Sequence, residues 1–194
     1  MKSIVAVVLG LWLVVVLILG SAGAFNLAAG EVPLPIGIGA LGPLLVFLVA
    51  YRLSPAFRAF VLAIDLPLAT AVQAWRFAGF VFIALAVYEV LPWVFAWPAG
   101  LGDMAIGLTA PWMAFALTHR PGFKFSPLFK VWNLLGILDL VVAVTLGALS
   151  ATLGTGTFAM AKMPLVLVPA YFVPIFVMLH VAALLQARRL ASAA

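Results

Sequence analysis

Residues 128–150 read LFKVWNLLGILDLVVAVTLGALS, and they decide the fold. This stretch is long and apolar enough to cross a lipid bilayer as a helix, which takes about 20 mostly apolar residues. Five other stretches have the same character, so the sequence predicts an all-α, polytopic membrane protein, a six-transmembrane-helix bundle in a single domain over residues 1–194. The predicted helices cover residues 3–24, 35–53, 66–91, 99–118, 128–150 and 164–187.

The composition of the whole chain supports this prediction. Of the 194 residues, 68% are hydrophobic and 8% are charged, whereas a soluble domain is about 45–50% apolar and about 25% charged. These values exclude a soluble globular protein, a disordered chain and a nucleic-acid binder, and they make the lipid bilayer the expected partner. The chain has no cysteine, which excludes disulfides and thiolate metal sites. No metal site is predicted, and the sequence identifies no cofactor.

Two segments near the N-terminus need separate interpretation. Residues 3–24 follow Lys2 and end in Ala22-Gly23-Ala24, a pattern that also occurs in cleaved signal peptides. The apolar run is longer than a usual signal sequence, and we favour a retained helix. Residues 55–64 are too short to cross a bilayer and carry Arg58, so we expect them to lie at the membrane surface.

Proline residues interrupt several predicted helices, and we expect kinks at these positions. Each proline removes one backbone donor and frees one carbonyl group. Such breaks often line the binding sites of transporters, although kinked helices also occur in membrane proteins that transport nothing. The interrupting prolines are Pro43, Pro111, Pro169 and Pro174.

The basic residues predict the orientation of the chain in the cytoplasmic (inner) membrane. Only Lys162 falls in the loops of the opposite side, and Arg76 lies within a helix. Because cytoplasmic loops are enriched in Lys and Arg, this bias places both termini in the cytoplasm. The basic residues that share one side of the six helices are Lys2, Arg52, Arg58, Arg120, Lys124, Lys130, Arg188 and Arg189.

Arg76 and Asp139 are the two charged residues predicted deepest in the membrane. Each lies about 15 Å from the inner end of its helix at a rise of about 1.5 Å per residue. A charge at the bilayer centre costs about 2.5–3.5 kcal/mol on insertion scales, so such residues are expected to pair. We therefore predict an Arg76–Asp139 ion pair, acting either as a clasp between helices or as a gate or solute anchor.

Two further pairs of polar residues are predicted at other depths. Glu89 and Asp103 are both expected within about 6 Å of the outer boundary, where two carboxylates could bind a cation or share a proton. Alternatively, each faces outer water alone. His180 and Asn133 are expected about 10 Å from the inner ends of their helices. We expect His180 to form a hydrogen bond between helices. A haem held by His180 and His119 is disfavoured, because axial ligands need one common level.

The fourth and fifth predicted helices share a weak internal sequence repeat. Gly100-x-x-Asp103 recurs 36 residues later as Gly136-x-x-Asp139. Because successive helices run antiparallel, the two copies would form an inverted repeat, which is a feature of transporters. Small residues at regular spacing in membrane helices also produce such repeats by chance.

The string Gly100-Leu101-Gly102-Asp103 resembles the motif of the GxGD intramembrane aspartyl proteases, the group of presenilin, signal peptide peptidase and prepilin peptidase. The resemblance covers four residues and implies a catalytic role for Asp103 beside a second aspartate. In that family the second aspartate precedes the motif on the preceding core helix. The preceding predicted helix has Arg76 and Glu89 but no central aspartate.

The favoured function is a small transporter, channel or solute-binding membrane protein. Its polar interior would contain Arg76, Asp139, Asp103, His180, Asn133 and Glu89. The polar route would run from Asp103 at the outer mouth to His180 and Asn133 on the inner side, and would carry a small solute or a proton. The alternative is an accessory or structural subunit that packs against a membrane protein partner or a second copy of itself. An intramembrane protease is the third hypothesis.

Overall fold

The structure is a computed structural model that describes residues 1–28 and 30–191, with side chains to Arg188. Every regular element among the described residues is helical. The α-helices are α1 Lys2–Ser21, α2 Leu34–Leu53, α3 Pro55–Leu62, α4 Leu66–Val72, α5 Phe80–Val87, α6 Trp93–His119, α7 Pro127–Thr152 and α8 Val173–Ala191. A 3₁₀ segment, Gln73–Gly79, joins α4 to α5, and a π-helical segment, Val168–Phe172, precedes α8.

Among the described residues, six helical stretches are long and apolar enough to cross a membrane, which confirms the predicted number of long helices. They are Lys2–Ser21, Leu34–Leu53, Leu66–Val87, Trp93–His119, Pro127–Thr152 and Val168–Arg188. The short segment predicted after the second long helix is α3. Its Arg58 side chain donates hydrogen bonds to the backbone carbonyls of Tyr51 and Arg52, at 3.1 Å and 2.7 Å. Arg58 therefore satisfies carbonyl groups that the end of α2 leaves free.

The fourth long helix, α6, corrects the predicted boundary of residues 99–118. It begins at Trp93, because extended Pro92 forms its N-terminal boundary and Pro98 is accommodated inside the helix. Asp103 is therefore the eleventh residue of the helix, about 15 Å from its start at about 1.5 Å per residue. Asp103 therefore lies farther along its helix than the predicted boundary implied.

The third and sixth long helices also differ from their predicted boundaries. The third ends at Val87, and the chain then turns through Glu89 with a positive φ of 58°. The sixth begins at Val168, since residues after the predicted start at Pro164 form turns. Pro169 supplies no backbone donor, and it lies in the first turn of the π-helical segment.

The core is built around α6, which has buried residues from Phe95 to Ala116, whereas α1 buries only Val16 and Gly20. Near the turn between α5 and α6, Phe82 and Phe95 belong to one apolar cluster that reaches Ala99 on α6. A second apolar cluster begins at Ile106 and continues toward the loop between α6 and α7. Asp103 lies between these clusters. The bundle therefore has a polar layer between two apolar layers.

Candidate functional site

The polar layer is centred on Arg76, which lies on the 3₁₀ segment in the middle of the third long helix. A 3₁₀ stretch within a longer helix often marks a hinge or a sequence under strain. Arg76 is only 2% exposed. One of its terminal nitrogens, Nη1, donates a hydrogen bond of 3.2 Å to the backbone carbonyl of Gly136. The guanidinium therefore links the third long helix directly to α7.

Two carboxylates bind the other nitrogens of the same guanidinium. Arg76 Nε donates to Asp103 Oδ1 at 2.7 Å, and Arg76 Nη2 forms an ion pair with Asp139 Oδ2. The predicted Arg76–Asp139 pair is thus present. Because the guanidinium is planar and rigid, Asp103 and Asp139 are held in a fixed relation to each other. With all three groups ionised, this trio carries one net negative charge.

His180 and Asn133 extend the cluster and fix the state of the imidazole ring. Arg76 Nη1 lies 3.1 Å from His180 Nε2, and His180 Nδ1 lies 2.9 Å from Asn133 Oδ1. Because arginine has no acceptor atom, His180 Nε2 must accept the hydrogen bond. His180 is then neutral, and its Nδ1–H donates to Asn133. The predicted role of His180 as a hydrogen-bond partner between helices is confirmed. We call Arg76, Asp103, Asp139, His180 and Asn133 the polar cluster.

Glycine residues leave the space that the polar cluster occupies. A Cβ atom at Gly102 would lie 1.7 Å from Asp139 Oδ1, and one at Gly136 would lie 2.2 Å from His180 Nε2. Real Cβ atoms do not approach other atoms so closely, so neither position accepts a side chain without displacing its neighbour. These glycines allow α6 to contact Asp139 and α7 to contact His180.

An apolar cavity of about 300 Å³ reaches the polar cluster at Asp103. It lies between α2, α6, α7 and the π-helical segment, and Asp103 is the only residue with an ionisable side chain among the described residues that line it. Most of the wall is apolar, and typical members are Ile36, Phe82, Phe95, Leu140, Met160 and Val168. Small-molecule sites are usually concave and mostly apolar, with few polar groups.

Glu89 lies outside this site, which corrects its predicted place in the polar interior. It is exposed, in the turn between α5 and α6, and no described residue hydrogen-bonds its side chain. The predicted outer pair of Glu89 and Asp103 therefore does not form, because the third long helix ends before Glu89 and Asp103 lies deeper in the bundle. The polar residues also form one connected cluster rather than a route of three successive depths.

The residues of the GxGD string have packing roles in this structure. A Cβ at Gly100 would lie 3.0 Å from the carbonyl oxygen of Gly79, and Gly102 leaves room for Asp139. Aspartyl proteases need two carboxylates that share a proton and activate water. Here Asp103 and Asp139 do approach each other, but Arg76 binds an oxygen of each. This geometry is that of an ion-pair clasp.

The second histidine is remote from the first. His119 is exposed at the end of α6, where its ring stacks on Phe115 with centroids 4.0 Å apart and donates to the Phe115 carbonyl. His180 is instead buried and bonded to Asn133. Within the residues that the structure describes, no three His, Asp or Glu side chains are grouped so that they could hold a metal ion.

Three residues of the site were missed by the sequence analysis: Gly102, Gly136 and Trp132. Trp132 is buried, its ring lies 5.2 Å from that of His180, and its Nε1 donates to Thr109 Oγ1 at 2.8 Å. A helical spacing of four and then three residues places Trp132, Gly136 and Asp139 on one face of α7. This spacing is the sequence pattern that could have placed Trp132 and Gly136 next to Asp139 in the site.

The comparisons with known proteins assign the chain to a family, and the description of this family names no function. A family model described as "Domain of unknown function (DUF8737)" matches residues 33–188, and the chain belongs to this family. The match covers the polar cluster and most of the cavity wall, and it begins after α1. The search of curated proteins found no match. The search of solved structures also found none.

Proposed function

We propose that this protein is a multi-pass membrane protein of the transporter class that binds an apolar solute in the cavity beside Asp103. The supporting observation is the cavity itself, which has a mostly apolar wall and includes one buried carboxylate, that of Asp103, in its lining. The Asp139 carboxylate and the neutral His180 ring hold Arg76, and Arg76 in turn holds Asp103. The polar cluster then forms the rigid polar part of the binding site.

The proposed orientation has both termini in the cytoplasm and the cavity in the outer half of the bundle. The charge bias supports it, and the cavity wall includes the start of α2 and the end of α7, which this orientation places outside. A reporter fused to the C-terminus should be cytoplasmic, and one inserted at Gly156 should be external. An external C-terminus would contradict the orientation.

Two glycines allow a matched test of the cavity. A Cβ at Gly37 or at Gly10 would meet nothing within 4 Å, but Gly37 lines the cavity whereas Gly10 lies on α1 outside it. Gly37→Phe should fill the cavity with a bulky side chain. Gly10→Phe adds the same side chain to a helix at a position that has open space around it, and serves as the control.

The assay is binding of 1-adamantanol, a compact neutral probe, to the protein in lipid nanodiscs, with empty nanodiscs subtracted. The parent and Gly10→Phe should bind the probe saturably, and Gly37→Phe should lose at least about 90% of this binding because the cavity space is occupied. Equal binding by both variants, or no saturable binding by the parent, would contradict the proposal.

A second candidate is an accessory subunit of a membrane complex. It is favoured by the burial of the Arg76 side chain and by the weak burial of α1, in which only Val16 and Gly20 are buried. A helix with so little intramolecular packing has surface available for a partner helix. The test is extraction of native membranes into polymer-bounded discs, followed by mass measurement. A second chain in fixed stoichiometry would favour the subunit, and discs with this chain alone would oppose it.

A further inference from the structure

We infer that the cavity accepts an apolar monocation, whose positively charged head binds the free carboxylate oxygen of Asp103. This inference rests on the proposed function and specifies its substrate class. The body of such a molecule would contact the apolar wall, and its ammonium or related head would reach the polar cluster.

The first observation is the unequal bonding of the two Asp103 oxygens. Oδ1 accepts the hydrogen bond from Arg76 Nε, whereas no described residue donates to Oδ2. Asp103 is only 9% exposed, and it is one of the residues that line the cavity. A carboxylate oxygen that accepts from no protein group keeps its capacity for a hydrogen bond. A donor inside the cavity would complete the bonding of Oδ2.

The second observation is the net charge of the polar cluster. Arg76 faces two carboxylates, Asp103 and Asp139, and His180 must be neutral because it accepts from Arg76. Asn133, the fifth member, carries no charge. With both carboxylates ionised, the cluster has one negative charge in excess, in a setting of low dielectric where charge strongly affects binding. One monovalent cation would neutralise this excess, and an anion would be repelled.

The third observation concerns the hydroxyl groups of the cavity wall. Thr157 Oγ1 donates to the carbonyl of Gly147 at 2.9 Å, and Thr152 Oγ1 donates to that of Leu149 at 2.9 Å. These hydroxyl donors are therefore already used. The cavity offers one strong polar contact at Asp103 and apolar surface elsewhere, which suits a molecule with a single charged head and an apolar body.

The test compares three probes that share one cage and differ in charge: 1-adamantanamine, 1-adamantanol and 1-adamantanecarboxylate. Binding is measured in nanodiscs of phosphatidylcholine at neutral pH. The amine should bind the parent at least about tenfold more tightly than the alcohol, because a hydrogen bond to a charged group is stronger than a neutral one. The carboxylate should bind most weakly. Equal affinities of amine and alcohol would overturn the inference.

Variants separate this inference from the proposed function. Asp103→Asn should reduce the affinity for the amine to that for the alcohol. Asp139 does not line the cavity, so Asp139→Asn should keep part of the preference for the amine over the alcohol. If Asp103→Asn does not fold, the comparison of probes on the parent decides alone. Loss of all binding in Gly37→Phe, combined with equal affinities in the parent, would leave the cavity function standing and refute its cationic specificity.

Transport of the cation is tested with a probe that bilayers exclude. Proteoliposomes with the parent should accumulate N,N,N-trimethyl-1-adamantylammonium faster than protein-free liposomes, and Gly10→Phe should match the parent. Gly37→Phe should reduce the rate to the protein-free value. Uptake by Gly37→Phe at the parental rate would contradict passage through the cavity.

Discussion

Replacement of Arg76 tests the polar cluster most directly. Among the described residues, Arg76 is the only cation paired with Asp103 and Asp139, so Arg76→Gln leaves one buried and one half-buried carboxylate without a counterion. Breaking a buried ion pair by removing one partner costs about 3–5 kcal/mol. We expect the free energy of unfolding to fall by at least this amount, because two carboxylates lose their partner at once.

Replacement of Asp139 should cost much less. In Asp139→Asn, Arg76 keeps its bond to Asp103 and the new amide oxygen still accepts a hydrogen bond. The loss is the difference between a hydrogen bond to a charged group, about 1.5–3 kcal/mol, and a neutral one, about 0.5–1.5 kcal/mol. We therefore expect a loss of about 1 kcal/mol. A simple two-residue clasp would predict equal losses for the two replacements.

The triple variant Arg76→Gln, Asp103→Asn, Asp139→Asn removes every charge from the cluster while keeping similar shapes. It should be more stable than Arg76→Gln alone, because no buried charge remains unpaired. Glu89→Gln is the control, since Glu89 is exposed and surface replacements usually change stability by less than about 0.5 kcal/mol.

The measurement is reversible unfolding of the purified protein in mixed micelles by increasing amounts of denaturing detergent, followed by far-ultraviolet circular dichroism. The reasoning is refuted if Arg76→Gln and Asp139→Asn lose equal stability. It is also refuted if the triple variant is as unstable as the sum of its single changes, because the three side chains would then not interact.

Two further predictions concern His180. Gly136→Ala should lower the free energy of unfolding by about 1–3 kcal/mol, because its Cβ would lie 2.2 Å from His180 Nε2, whereas Gly42→Ala, with no atom closer than 4.0 Å, should change it little when both are measured by thermal unfolding. Nitrogen-15 NMR should find the proton of neutral His180 on Nδ1, and a proton on Nε2 would contradict the bond from Arg76.

The six long helices were predictable because their signal is composition over about 20 residues, which changes in a boundary do not affect. The boundary of α6 was not predictable in the same way. The predicted helix began at residue 99, directly after Pro98, whereas α6 contains Pro98 as an interior residue and begins at Trp93. This error of six residues shifted Asp103 by about 9 Å at about 1.5 Å per residue.

The polar cluster was predictable in part. Arg76 and Asp139 were matched by depth alone, and depth follows from counting residues along each helix. The bond between Arg76 and Asp103 was missed because its prediction needed the true start of α6. The cavity was not predictable, because its space depends on how α2 and the π-helical segment pack against α7, and no local pattern fixes that packing.

The sequence repeat between Gly100-x-x-Asp103 and Gly136-x-x-Asp139 has a physical explanation in this arrangement. In each copy the glycine lets a neighbouring segment approach, and the aspartate three residues later, on the same helical face, binds Arg76. The two copies are not equivalent, because Asp103 lines the cavity and Asp139 does not. Under the proposed function, this difference divides two tasks: Asp139 keeps Arg76 neutralised whether or not a solute is bound, and Asp103 thereby has one oxygen available to a cationic solute.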